Sequence, residues 1–191
     1  LPNMSDAKIL RSPHPHANIL NLDVEKAEKE SGALAVMSYK SAPEIQWFND
    51  SYLFDPHLRY QGDEAACVVA ETEEIAEKAL DLIDVEYREL PFVVDPQEAM
   101  DPGAPKLRDD GNIRNGEPYK YDRGDLEKGL SEADFIIENE FKTQVAVHNP
   151  AEVHCSVANW EGDYLTVWDS TQSLFVVRDV LSRSLKIPAN R

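Results

Sequence analysis

Along residues 7–90 the apolar positions fall in short runs whose period changes, and each change marks an element. Ala7 to Leu10 is a short apolar run closed by Arg11-Ser12-Pro13-His14-Pro15-His16. The prolines forbid helix and remove ladder donors, so a strand leading into an extended loop is expected. Ile19 to Asp23 resumes as a strand, Val24 to Lys29 can make a short helix, and Ser31-Gly32 stops it before the apolar run Ala33 to Tyr39. Ala65-Ala66-Cys67-Val68-Val69-Ala70 is unbroken small or apolar sequence, the pattern of a strand covered on both faces. Thr72 can cap the helix behind it, with Glu73 and Glu74 in the first turn where the macrodipole favours acids. Ile75, Ala76, Ala79, Leu80 and Ile83 then recur on one helical face, and Val85-Glu86-Tyr87-Arg88 reads as a return strand ended by Pro91. The strand, helix, strand unit over 65–90 is the clearest pattern in the chain.

From Asp95 to Tyr121 the periodicity fails. Pro96, Pro102, Pro105 and Pro118, with Gly103, Gly111 and Gly116, leave no room for a regular element, so a connector is expected. Beyond it Asp125 can cap a short helix through Leu130, and Phe135-Ile136-Ile137 opens what reads as a long strand reaching Val147. Val153 to Ala158 alternates with period two, and Glu161-Gly162-Asp163 supplies a turn into Tyr164-Leu165-Thr166-Val167-Trp168, so a hairpin is expected. Leu174, Val177, Leu181 and Leu185 mark one helical stripe, with Pro188 just beyond.

Composition narrows the class. The 191 residues suit one ordinary domain or two small ones, and a hydrophobic share of 42% supports a packed core. No apolar run approaches the ~20 residues of a membrane span, and no basic-then-apolar opening marks a secretory signal, so a cytoplasmic protein with no membrane partner is expected. The opening Leu1-Pro2 and the stop soon after Lys186-Ile187-Pro188 lead us to expect a piece of a longer chain. A net charge of −17 repels a phosphate backbone, which argues against nucleic acid. Clusters such as Glu71, Glu73, Glu74 and Glu77 fit a solvated helix face. Cys67 and Cys155 both sit in apolar strand-like runs, so reduced and buried thiols are expected in place of a disulfide.

Two clusters hold residues with chemistry. His14 and His16, spaced i, i+2, can face one metal if their segment is extended, but no Cys, Asp or Glu stands beside them, and a role within the loop is preferred. His148, Glu152, His154 and Cys155 offer zinc-type ligands. In a strand, however, His154 and Cys155 point to opposite faces and cannot close on one ion. Glu152 and His154 share the other face, where a buried ion-paired or hydrogen-bonded couple is the expectation and a catalytic acid–base couple the alternative. The chain has no phosphate-binding glycine loop, no Gly-x-Ser-x-Gly elbow and no paired CxxC.

The order of several segments adds to this. Lys8-Ile9-Leu10-Arg11-Ser12-Pro13-His14-Pro15-His16-Ala17, Arg59-Tyr60-Gln61-Gly62-Asp63-Glu64 running into the 65–72 segment, and Asp84-Val85-Glu86-Tyr87-Arg88-Glu89-Leu90-Pro91 resemble the α/β-hammerhead domain of the xanthine dehydrogenase/aldehyde oxidase family. Gly124-Asp125, Glu152-Val153-His154 and Val167-Trp168-Asp169-Ser170-Thr171-Gln172 resemble the opening of that family's molybdopterin-binding domain. The resemblance implies an α+β fold: an α/β-hammerhead domain over 1–97, a proline- and glycine-rich linker over 98–122, and the beginning of a truncated molybdopterin-binding α+β domain over 123–191.

It also implies a function. Family members hydroxylate a carbon of an aldehyde or N-heterocycle with oxygen taken from water, at molybdenum carried by molybdopterin, in bacteria commonly as the cytosine dinucleotide. Electrons leave through [2Fe–2S] clusters toward FAD on neighbouring domains or subunits, which the resemblance makes the expected partners, with the rest of the molybdopterin domain. By position Gln172 matches the glutamine that hydrogen-bonds an oxo ligand of the molybdenum, and a neutral amide suits that task. The family's Gly-Gly-Phe-Gly loop and distal catalytic glutamate have no counterpart here, so the chain holds no catalytic residue and no direct metal ligand. Ser173-Leu174-Phe175 replaces the usual polar pattern after the glutamine, which leaves the substrate open. A part of a molybdenum hydroxylase is therefore the leading expectation; the alternative is a non-catalytic interaction or scaffold domain that retains the hammerhead fold.

Overall fold

The computed structural model describes residues 2–42, 45–48, 51–113 and 116–191. In chain order its elements are β1 (Asp6–Arg11), β2 (Ala17–Asp23), α1 (Glu25–Glu28), β3 (Ala33–Ser38), β4 (Gln46–Phe48), β5 (Ser51–Tyr52), β6 (His57–Leu58), β7 (Glu64–Ala70), α2 (Glu73–Leu80) and β8 (Asp84–Glu89). A 3-10 turn at Glu98–Met100 follows, then α3 (Leu126–Ser131), β9 (Ser156–Glu161), β10 (Tyr164–Asp169) and α4 (Leu174–Leu185). The chain divides into two units, one of residues up to Asn112 together with Thr171–Arg191, the other Ile113–Ser170. Among the described residues no helix is long and apolar enough to cross a membrane.

The first unit holds two three-stranded sheets, β1-β7-β3 and β6-β2-β8, with every pairing antiparallel. β7 is the inner strand of its sheet. Ala65, Ala66 and Val68 are fully buried at 0% exposure, which is why the unbroken apolar run was needed. α2 lies on β1 and β7 through Ala76 and Ala79, whose small side chains let the helix approach closely. Thr72 accepts a hydrogen bond from the Ile75 amide at 3.4 Å. The two strand–helix–strand units run in opposite senses: β2 crosses through α1 into the other sheet as β3, and β7 crosses back through α2 as β8. Each sheet therefore takes strands from both units.

Two bulges reconcile the strand pattern with the core. In β2 the register against β8 jumps between Ile19 and Asn21, so that Ile19 and Leu22, three residues apart, both turn into the core while Leu20 is exposed. In β3 the jump between Ala33 and Ala35 leaves Leu34 exposed in the same way. The turn from α1 into β3 rests on Gly32, whose φ is +87° and whose carbonyl accepts the Glu71 amide at 3.0 Å. A Cβ there would lie 2.7 Å from Ile75 Cδ1.

The short strands β4, β5 and β6 were not expected from the pattern; two or three residues carry no readable period. α4 packs against β4, and Ser184 Oγ donates to the Gln46 carbonyl at 3.3 Å. Only the middle of the expected α4 stripe is covered: Val177 and Leu181 are half-buried, whereas Leu174 and Leu185 are exposed. The helix ends with Lys186 in the left-handed region, where the Ile187 amide reaches the Ser182 carbonyl and the Lys186 amide the Arg183 carbonyl.

In the second unit Asp125 caps α3 by accepting the Lys128 amide at 2.9 Å. β9 and β10 form the expected hairpin across the two-residue loop Gly162-Asp163, with Gly162 at φ +62°, the left-handed first loop position that matches hairpin twist. Three expectations are corrected here. Residues 135–147 form no strand: they run without regular structure, and Phe135, Phe141 and Val145 are 90%, 87% and 96% exposed. A strand exists only through its ladder, and among the described residues none pairs with this one. The hairpin begins at Ser156, so Val153, His154 and Cys155 precede the strand. Consequently Cys155 is exposed, while Cys67 is buried as expected and burial pushes its thiol pKa up.

Replacing Gly32 with alanine should destabilise the first unit by about 1–2 kcal/mol, mainly through the left-handed backbone, because the facing Ile75 end can swing aside. Urea unfolding of the variant against the parent chain measures this; an unchanged midpoint would mean that the turn is not held in this conformation. A thiol alkylating reagent at neutral pH should modify Cys155 under native conditions and reach Cys67 only on unfolding. Mass-resolved labelling would show the opposite order if the exposure contrast were wrong.

Candidate cofactor site

Gln172 lies in the four-residue stretch between β10 and α4. On the helix side Thr171 Oγ1 accepts the Ser173 amide at 3.0 Å, fixing the backbone at Gln172. The Gln172 side chain is exposed, and among the described residues nothing hydrogen-bonds its amide. An amide so placed has two N–H donors free for an acceptor oxygen from outside the chain, which fits a hydrogen bond to an oxo ligand of molybdenum. It is not itself a metal ligand of any strength.

The hairpin preceding it is closed by side chains as well as by its ladder. Ser170 Oγ accepts the Cys155 amide at 2.9 Å and donates to the Cys155 carbonyl at 3.3 Å, while the Ser170 amide reaches the same carbonyl at 3.1 Å. Ser156 Oγ donates to the Asp169 carboxylate one step further in. Pairing stops at Cys155, and Glu152 and His154 lie beyond it, exposed and joined to each other by neither a hydrogen bond nor an ion pair. The expected buried couple is thus not formed: both residues are exposed, and among the described residues no strand pairs with 152–154.

His14 and His16 are separated by their surroundings. The 12–15 segment bends instead of extending, so the i, i+2 rule for a common face does not apply. His16 is 4% exposed; its Nδ1–H donates to the Pro91 carbonyl at 2.6 Å and its Nε2 lies 2.8 Å from His57 Nε2. His14 instead lies edge-on to Tyr87 and 3.5 Å from a Glu89 carboxylate oxygen. His57 was missed by sequence reasoning: it is 41 positions from its partner, and nothing local in Asp55-Pro56-His57 signals the pairing. Burial pushes the His57 pKa down, and the Arg59 cation and His16 push the same way against Asp55 and Asp109.

The Arg59–Glu64 motif is a structural turn. The Asp63 carboxylate accepts the Arg59 amide at 2.9 Å, and Arg59 Nη1 bonds Asp55 at 2.7 Å. The turn docks on the 11–14 loop through Ser12 N to Asp63 O and Gly62 N to Ser12 O, at 2.8 and 2.9 Å. Half-burial raises the Asp63 pKa, and burial, reinforced by Asp63 and Glu64, pushes the Tyr60 phenol up to about 12.

Two family models match successive parts of the chain. Residues 1–91 match the family model described as aldehyde oxidase and xanthine dehydrogenase, a/b hammerhead domain, and residues 108–191 match the molybdopterin cofactor-binding domain. The whole chain is 37% identical to a probable xanthine dehydrogenase subunit of Bacillus subtilis, of which it covers 26%. It is 30% identical, again over its full length, to the nicotinate dehydrogenase large molybdopterin subunit of Eubacterium barkeri, covering 46% of that protein. Among solved structures, CO dehydrogenase from Oligotropha carboxidovorans superposes on all of the chain with a TM-score of 0.85 at 29% identity, over 26% of its own length. Quinoline 2-oxidoreductase from Pseudomonas putida gives 0.82 at 27% identity, also over the whole chain and 26% of its own. The chain spans about a quarter of most of these relatives. With a hammerhead match followed by a cofactor-domain match in the same order as these proteins, the chain belongs to the xanthine dehydrogenase/aldehyde oxidase family and corresponds to part of its molybdenum subunit.

Proposed function

We propose that this chain serves a molybdenum-dependent hydroxylase or dehydrogenase that oxidises an aldehyde, an N-heterocycle or a related small molecule with water as the oxygen source. Its own part is the hammerhead scaffold and one group at the cofactor. The observation that carries this is the open Gln172 amide, without a partner among the described residues, inside the segment matched by the cofactor-binding model. When bound, molybdopterin, in this proposal in its cytosine dinucleotide form, would supply two-electron redox chemistry through its molybdenum. Gln172 would donate through its side-chain amide to an oxo ligand of that group and so tune it without displacing a ligand. Glu152 and His154, being exposed and unpaired with each other, are not assigned an acid–base role. Iron–sulfur clusters and FAD on other domains or subunits complete the electron path in this reading.

For organisation we propose a hammerhead domain over 1–97, a connector over 98–122 and the cofactor-domain segment over 123–191. The gap between the two family matches, residues 92–107, supports the first boundary. The two compact units divide differently, since α4 falls with the first unit although the cofactor-domain match includes it. α4 continues the segment that bears Gln172, which supports the family boundary over the compact one.

Two outcomes test these readings. In the intact enzyme Gln172→Ala should lower kcat about 10²-fold with molybdenum retained, by analogy with removal of an oriented donor. Normal turnover at full loading would show the residue to be misassigned, and loss of molybdenum would show that it holds the cofactor instead of tuning it. Limited proteolysis of the chain should cut first within 98–122, where proline and glycine interrupt all periodicity. Early cutting inside 65–90 with the connector intact would overturn the boundary.

A further inference from the structure

The His16–His57 contact belongs to none of the chemistry above, and its protonation is fixed by geometry. Pro91 offers only a carbonyl, so at 2.6 Å His16 Nδ1 must carry a hydrogen. In neutral His16 the Nε2 is then a lone pair, and His57 Nε2, 2.8 Å away, must be the donor. One added proton is compatible with the pair, since it can sit on the outer nitrogen of His57 and leave the N–H···N bond intact. A second is not, because it would place two hydrogens between the facing nitrogens.

The pair spans all three strands of the second sheet. His57 is on β6, His16 immediately precedes β2, and Pro91 follows β8. Two backbone bonds flank it, Leu90 N to His16 O at 2.9 Å and Ile19 N to Pro56 O at 2.8 Å. The charged and titratable groups around it come from every neighbouring element. Asp55 and Arg59 flank His57, His14 of the 12–15 loop faces Tyr87 and Glu89 of β8, and Asp109 acts on His57 from beyond β8. Among the described residues no group of three or more His, Cys, Asp or Glu side chains is placed to hold a metal ion.

We propose that the His16–His57 pair is a proton-operated clasp: neutral or singly protonated it holds one end of the β6-β2-β8 sheet closed at Pro91, and double protonation releases it. The sign follows from proton counting. An opened or unfolded chain binds a proton on each ring below the ordinary histidine value of about 6.5, whereas the closed clasp holds one at most. Closure is therefore fully favoured above that pH and is lost as pH falls below it, by up to about tenfold in the opening equilibrium per pH unit for each proton taken up. The lowered His57 pKa adds in the same direction, and the His14–Glu89 contact, an ion pair only when His14 is protonated, acts against it.

Hydrogen exchange of the full chain between pH 7.5 and 5.5, corrected for intrinsic rates, tests this. Amides in 16–19, 57–58 and 88–90 should lose at least about tenfold more protection than those of β1-β7-β3. In His57→Gln, whose amide can donate to or accept from His16 Nε2 but does not titrate, that differential should largely vanish. Equal loss in both sheets, or the same differential in the variant, would overturn the proposal. Should the variant not fold, the parent chain still decides: nitrogen NMR should find His16 with its hydrogen on Nδ1 at pH 7.5, and hydrogen on Nε2 instead would sink the clasp.

Discussion

β7 has to be buried on both faces and hydrogen-bonded on both edges, and the first unit is arranged around that requirement. Ala65, Ala66 and Val68 leave no surface to water, so β1 and β3 must flank the strand and α2 must cover it. The covering helix sits close because Ala76 and Ala79 are small, and the turn into β3 is eased by Gly32, which takes a left-handed backbone beside Ile75 without strain. The charges follow from the same arrangement. Lys8 on β1 reaches Glu73 and Glu77 on α2, exposed pairs that orient the helix edge and add little stability.

Residues 65–83 were readable because their information is local: an apolar run for the inner strand, a threonine cap, and a helical stripe of Ile75, Ala76, Ala79 and Leu80. The bulges at Leu20 and Leu34 were not, since a register shift depends on the partner strand. Residues 135–147 carry a convincing strand pattern yet form no ladder, because periodicity reports which face would be buried and says nothing of what pairs with it. Cys155 went wrong for the same reason. It alternates with its neighbours but sits where the hairpin ends.

The candidate site was legible to a different depth. Nothing in the residue chemistry of Asp169-Ser170-Thr171-Gln172 distinguishes Gln172 from a helix-start residue; the family pattern singled it out, and the structure adds that its amide is unengaged among the described residues. The histidines show the converse. His14 and His16 are conspicuous as a spaced pair, but the partner that matters is His57, brought in by β6, a strand of two residues that no pattern announces.

The exchange of strands between the two sheets has a consequence for how the first unit forms. Because β2 and β3 are separated by one crossover and β7 and β8 by the other, neither sheet can be completed from a contiguous stretch of chain. The pairing of β1 with β7 closes a loop of over fifty residues, an entropy cost that their contacts with each other and with α2 offset. The two sheets are thus interlaced along the chain, and completing either one brings together strands from both crossover units.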